Sequence, residues 1–189
     1  MNEWKEVPIF KDNMTTLKET SLDDSNLTNP RYMTEASLPV VNFDSVKRAY
    51  LNNIACQDEA LSSVDALMLA DNKVLIEFKN GDIRKKEARL AIHGKIQNSL
   101  LLLCDITDSK ISTLRNTLDF ILVYNESKNL VANREYISQR LNALAKQKVA
   151  RFSLDNYRGV YFRKVYTYTE KEFAEYLQTL ATNMQGNGT

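Results

Sequence analysis

Between Ser63 and Gly81, two short apolar runs, Val64–Leu69 and Val74–Phe78, are separated by Asp71-Asn72 and closed by Asn80-Gly81. Runs of this length bounded by turn residues predict two strands joined as a hairpin. Three charged residues, Asp65, Glu77 and Lys79, sit in or at the ends of these runs. Charges in such a setting serve either chemistry or a buried ion pair.

Side chains alternate along a strand, so Glu77 and Lys79 share one face while Phe78 points into the opposite layer. Asp65 joins them in only one register. A two-residue turn at Asp71-Asn72 pairs Ala70 with Lys73 and sends Asp65 to the wrong side. A three-residue loop, Ala70-Asp71-Asn72, pairs Leu69 with Lys73 and brings Asp65 opposite Glu77. Asn72 tolerates the left-handed conformation that such loops commonly require. If the three charges form one site, the loop has three residues or a bulge has the same effect.

The rest of the chain gives this hairpin a setting. Residues 1–43 hold all three prolines, Pro8, Pro30 and Pro39, and show little periodicity, which predicts an irregular N-terminal arm. Leu38–Phe43 either adds a short edge strand or lies across the core, and Trp4 with Pro8–Phe10 docks similarly. Asp44-Ser45 offers a cap for a helix running to about Cys56, with Val46, Ala49, Tyr50 and Ile54 at helical spacing. After the hairpin, Ala88, Ile92, Ile96, Leu100 and Leu103 form one stripe of a long helix over about 84–104. Lys95 and Ser99 interrupt its flank.

A short helix over 109–116, a buried strand over Leu118–Tyr124 and a helix over 133–148 follow. Arg158–Tyr168 alternates as a late strand, and Thr169-Glu-Lys-Glu caps a final helix. The order predicts an α/β domain over 44–183 with a mixed central sheet flanked by helices, and a loose tail over 184–189.

Composition excludes more than it selects. A chain of 189 residues with 43% hydrophobic content suits one core. Net charge is +1 overall, but residues 1–45 carry net −4 and the remainder about +5, so a nucleic-acid surface belongs to the second part. Two cysteines, Cys56 and Cys104, without Cys-x-x-Cys spacing argue against a disulfide scaffold or zinc knuckle. The N-terminus shows no secretion signal and Leu100–Leu103 is too short to span a bilayer, so a cytoplasmic protein with no membrane association is expected. No glycine-rich phosphate loop supports ATP use.

Two carboxylates and a lysine match the needs of phosphodiester hydrolysis, in which a divalent cation neutralises charge on phosphate and helps activate water. Hard cations such as Mg²⁺ take oxygen ligands, typically one or two carboxylates, and keep several waters. Asp65 and Glu77 can supply the carboxylates, with the backbone carbonyl of Phe78 as a further ligand beside Lys79.

Asp65, then Glu77-Phe78-Lys79 after an intervening hairpin, followed by a long helix and the buried strand at Leu118, resembles the PD-(D/E)XK nuclease superfamily, the restriction-endonuclease-like fold. The resemblance covers roughly 44–124. It implies a helix, a three-strand meander, a helix and a strand, with Asp65 and Glu77 as Mg²⁺ or Mn²⁺ ligands and Lys79 as the water-positioning group. It implies a metal-dependent nuclease acting on DNA. Val64 stands where the motif has proline, only two strong strands surround the motif, and an upstream helical acid has Glu59 as best candidate and Asp58 as second. Loss of a motif member leaves the fold without activity, so the rival reading is a catalytically inactive binding protein, an immunity- or antitoxin-like partner of another protein.

Other residues carry two readings each. Lys95 reaches either toward the carboxylates or a bound phosphate, or it snorkels with an exposed amine. Arg84, Lys85, Lys86 and Arg89 form a basic cluster suited to a nucleic-acid backbone, though a solvated helix face is the commoner meaning of such a run. His93 has no serine or cysteine motif to serve and reads as a packing or surface residue. Tyr157–Tyr168 interleaves aromatics with cations, as a base-stacking or protein interface or as a strand with one wet face.

Overall fold

The computed structural model describes residues 3–25, 28–58, 61–70, 72–130 and 150–186. A six-stranded mixed sheet forms the centre, and its order follows from short chain reversals followed by two parallel crossovers. The N-terminal part gives a 3₁₀ turn (Glu3–Glu6), α1 (Pro8–Lys11), β1 (Met14–Thr16), α2 (Leu17–Thr20), the two-stranded β2 (Leu22–Asp23) and β3 (Arg31–Tyr32), and β4 (Pro39–Asn42). Next come α3 (Phe43–Asn53), β5 (Ala66–Leu69), β6 (Lys73–Lys79), α4 (Lys86–Ile106), α5 (Ile111–Thr117) and β7 (Leu118–Tyr124). A 3₁₀ turn (Leu154–Tyr157), β8 (Lys164–Thr169) and α6 (Glu170–Gly186) complete the described chain.

The sheet order is β1-β4-β5-β6-β7-β8, antiparallel as far as β6 and parallel from β6 to β8. The N-terminal stretch is therefore no irregular arm. Its β1 and β4 extend the same sheet, and β4 is an inner strand between β1 and β5. Phe10 and Trp4 dock into the core as expected, at 0% and 8% exposure.

Every residue of β7 is buried, which a strand flanked by parallel neighbours and covered on both faces requires. Alternation divides its side chains between two cores. Phe120 and Leu122 join Leu75, Leu67 and the α4 residues Ile92, Ile96, Leu100 and Leu103. Ile121 and Val123 join Val74, Ile76, Phe78 and Phe173 of α6 on the other face. Burial of such side chains contributes roughly 1.5–3 kcal/mol each, so the two layers dominate the fold's stability.

The predicted strand over Arg158–Tyr168 is shorter than its alternation suggests. Gly159 adopts φ 72° and its N–H bonds to Phe162 O at 2.8 Å, making a turn, and β8 begins at Lys164. Thr169-Glu-Lys-Glu172 forms the expected capping box: Glu172 N–H donates to Thr169 Oγ1 at 3.2 Å, and Thr169 N–H donates to Glu172 Oε2 at 2.9 Å. The α6 helix then continues to Gly186, past the expected start of the tail. The helix expected over 133–148 lies outside the described residues. No helix among those described is long and apolar enough to cross a membrane.

Candidate active site

The site begins with the hairpin register. Leu69 pairs with Lys73, Met68 with Val74, Leu67 with Leu75 and Ala66 with Ile76, leaving three residues in the loop. This is the register that brings Asp65 to the Glu77 side, although Asp71 at the loop tip lies outside the described residues. At Asp65 the regular ladder stops. Its N–H donates to Ile76 O at 3.1 Å, and its carbonyl accepts from Phe43 N–H at 3.0 Å. Its side-chain Oδ2 accepts from the Phe78 N–H at 2.6 Å, where a main-chain carbonyl would otherwise serve. Asp65 is thereby fixed by the β4–α3 junction and by β6 at once.

Glu77 is buried at 1% exposure and the Asp65 side chain is 15% exposed. Both meet the ammonium of Lys95 from α4. Nζ donates to Glu77 Oε1 at 2.8 Å, to Glu77 Oε2 at 3.0 Å and to Asp65 Oδ1 at 3.2 Å. The flank position that interrupts the apolar stripe of α4 is thus the position that faces the acids. Ser99, one turn further on, holds the segment that carries Asp65 into β5: its Oγ accepts from the buried Val64 N–H at 3.0 Å.

Burial dominates the electrostatics. It raises the Asp65 carboxyl above its ordinary range, against the opposing pull of Lys95 and the Phe78 N–H. Glu77 is raised well above its ordinary value by burial and by the neighbouring Asp65 charge, with Lys95 opposing. For Lys95, burial alone lowers the ammonium, but the Glu77 and Asp65 carboxylates outweigh it and hold the group raised.

A third acid approaches that the sequence reading used only as a cap. The α3 cap is Asn42, whose Oδ1 accepts from Ser45 N–H at 2.9 Å. Asp44 is therefore free to accept from Ser63 Oγ at 2.5 Å, and its charge is felt by both Asp65 and Lys95. Asp44 lies in the first turn of α3, one residue after its start, and no pattern in the sequence separates it from a capping acid. Of the two upstream acids named from sequence, Glu59 lies outside the described residues. Asp58 pairs with Lys47 Nζ at 3.0 Å, outside the cluster.

Lys79 lies two residues beyond Glu77 on β6 and is close enough to pull the Glu77 carboxyl down, yet it forms no ion pair among the described residues. The basic cluster occupies the segment between β6 and α4 and the first turn of that helix. Arg84 is tied to Asp82 at 2.8 Å and to Leu130 O at 2.9 Å, while Lys85 and Lys86 are exposed and Arg89 is half-buried. Two asparagines missed from sequence hold this segment. Asn129 Oδ1 accepts from Ile83 N–H at 2.8 Å and its Nδ2 donates to Gly81 O and Asn125 O. Asn125 Nδ2 in turn donates to Asn80 Oδ1 at 2.7 Å.

The donor set is all oxygen, and two carboxylates converge on a single point, which suits a hard cation such as Mg²⁺ that keeps several waters. Among the described residues, no group of three or more His, Cys, Asp or Glu side chains is gathered closely enough to hold a metal ion. Asp65 and Glu77 are the two carboxylates such an ion would meet, at the point where the Lys95 ammonium now sits. Compared with known protein families, curated proteins and solved structures, the chain matches none.

Proposed function

We propose that the protein is a Mg²⁺- or Mn²⁺-dependent nuclease of restriction-endonuclease-like, PD-(D/E)XK type, hydrolysing phosphodiester bonds in DNA. The convergence of the buried Glu77 and the Asp65 carboxylate on one point, at the carboxyl end of a strand in the parallel part of the sheet, carries this reading. Asp65 and Glu77, with the Phe78 carbonyl, would hold the cation. When bound, it would neutralise phosphate charge and help activate water.

Lys79, free of ion pairs among the described residues and on the same face as Glu77, orients the attacking water. Asp44 steadies Ser63 and adds negative charge beside Asp65. Lys85, Lys86 and Arg89 attract the nucleic-acid backbone. Incubation of purified protein with Mg²⁺ or Mn²⁺ and single- and double-stranded DNA and RNA tests this. Cleavage that Glu77→Ala abolishes supports it, whereas intact substrates or equal cleavage by Glu77→Ala refute it.

A second reading is favoured by one observation, the ammonium of Lys95 seated between the acids. On that reading the fold is a catalytically inactive binding protein that recognises a protein partner, and Lys95 is a permanent counterion. Calorimetry showing no metal affinity, together with a co-purifying protein, would select it.

A further inference from the structure

Lys95 is placed where a cation would bind. Its Nζ contacts three carboxylate oxygens, two from Glu77 and one from Asp65, at 2.8, 3.0 and 3.2 Å. A magnesium ion binds such oxygens at about 2.0–2.1 Å, so the ion and the ammonium compete for one volume. Two cations sharing it would repel strongly in a site screened by so little water.

The helix cannot carry Lys95 away, because Ile92 and Ile96 on either side of it are buried at 2% and 0% exposure. The side chain can leave alone. Its stem is four flexible carbons, and 27% of the side chain already meets solvent.

Resting on the metal-site reading above, we propose that Lys95 is an exchangeable counterion: a divalent cation displaces its ammonium from Asp65 and Glu77, and the freed ammonium turns to the phosphate of the incoming strand. Before exchange, the three side chains with both acids ionised carry one net negative charge and repel a phosphodiester. After exchange the cation neutralises the two acids, and the freed ammonium adds one net positive charge beside them. Cation and nucleic acid therefore bind with mutual reinforcement, and the site stays closed to polyanions until the metal arrives. Lys95 differs here from Lys79, which forms no ion pair with the acids among the described residues and has no need to be displaced.

The test is calorimetric titration of MgCl₂ and MnCl₂ into the wild type, Lys95→Met, Lys95→Gln and Lys79→Met. Removing the competing ammonium is expected to tighten cation binding by about tenfold or more in both Lys95 variants, with Lys79→Met within about threefold of wild type. Lys95→Gln keeps a hydrogen-bond donor for the acids, which guards against loss of folding. Binding by the wild type that is unchanged or weakened in both Lys95 variants overturns the exchange while leaving the metal site intact. Absence of binding in every protein overturns the metal site and the exchange together.

A second measurement uses the unaltered protein. Limited acetylation read by mass spectrometry should label Lys95 faster in saturating Mg²⁺ than in EDTA, with Lys79 as the internal reference. Equal or slower labelling of Lys95 overturns the proposal.

Discussion

At the scale of single residues, polar side chains placed within apolar patterns turn out to be answers to specific backbone or charge requirements. Ser99 is the simplest case. Its hydroxyl satisfies the N–H of Val64, a residue with 0% exposure, so no water can substitute. Ser99→Ala leaves that donor unpaired and is expected to cost about 1–3 kcal/mol in urea unfolding. A loss below a few tenths would show that the bond contributes nothing.

Lys95 was legible as reaching either toward the carboxylates or a phosphate, or else snorkelling to solvent; it meets the acids, a choice the sequence left open because helical spacing gives a direction and not a depth. Asp44 was missed as a site residue because aspartate before a helix reads most simply as a cap. Asn42 takes that role, and only three-dimensional proximity reveals where Asp44 turns. The hairpin register was legible only on condition that the three charges share one site; of the two loops weighed, the three-residue one is found, and alternation leaves no intermediate between them.

At the scale of elements, β7 and the α6 cap were readable because each rests on local rules: a continuous apolar run and a Thr-x-x-Glu box. Thr169→Ala should destabilise the protein by about 1 kcal/mol, seen as a lowered urea midpoint with unchanged slope. Strand β4 was legible only as a short edge strand or a segment across the core, and β1 was not seen, because at four and three residues, beside proline or a helix, their pairing is decided by distant partners.

On α4, His93 packs edge-on against Tyr157 at 5.2 Å, with Nε2 buried and without a hydrogen-bond partner among the described residues. Burial, then the Arg89 charge, lowers its pKa below the usual value. A base with a lowered folded pKa binds protons more readily when unfolded. Its contribution to stability is present above the ordinary histidine range, near about 6.5, and is lost as pH falls through the folded value. Urea titrations between pH 7 and 5 should show stability falling on acidification, with a shallower fall in His93→Gln. Parallel profiles would remove His93 from the explanation.

At the scale of the whole molecule, charge is divided between an acidic N-terminal part and a basic remainder, and the structure sets the exposed Lys85 and Lys86 beside the segment that follows Glu77 and Lys79. If these lysines meet phosphates, each Lys→Ala change should weaken DNA binding similarly across sequences and reduce the salt-dependence slope by about 1. Fluorescence anisotropy at several salt concentrations reads this directly, and an unchanged slope would place the nucleic acid elsewhere.

The sheet's first strand has one more consequence. β1 is a three-residue stub that passes at once into α2, and it covers the open side of β4, whose Val40 and Val41 are both at 0% exposure. It is in effect a lid on a sticky seam. A chain begun after Thr20 would uncover the main-chain groups of β4 as a fresh edge, an invitation to pair with the same edge of another copy. Such a truncation is expected to assemble into soluble oligomers or fibres, visible by light scattering, where the full chain stays dispersed.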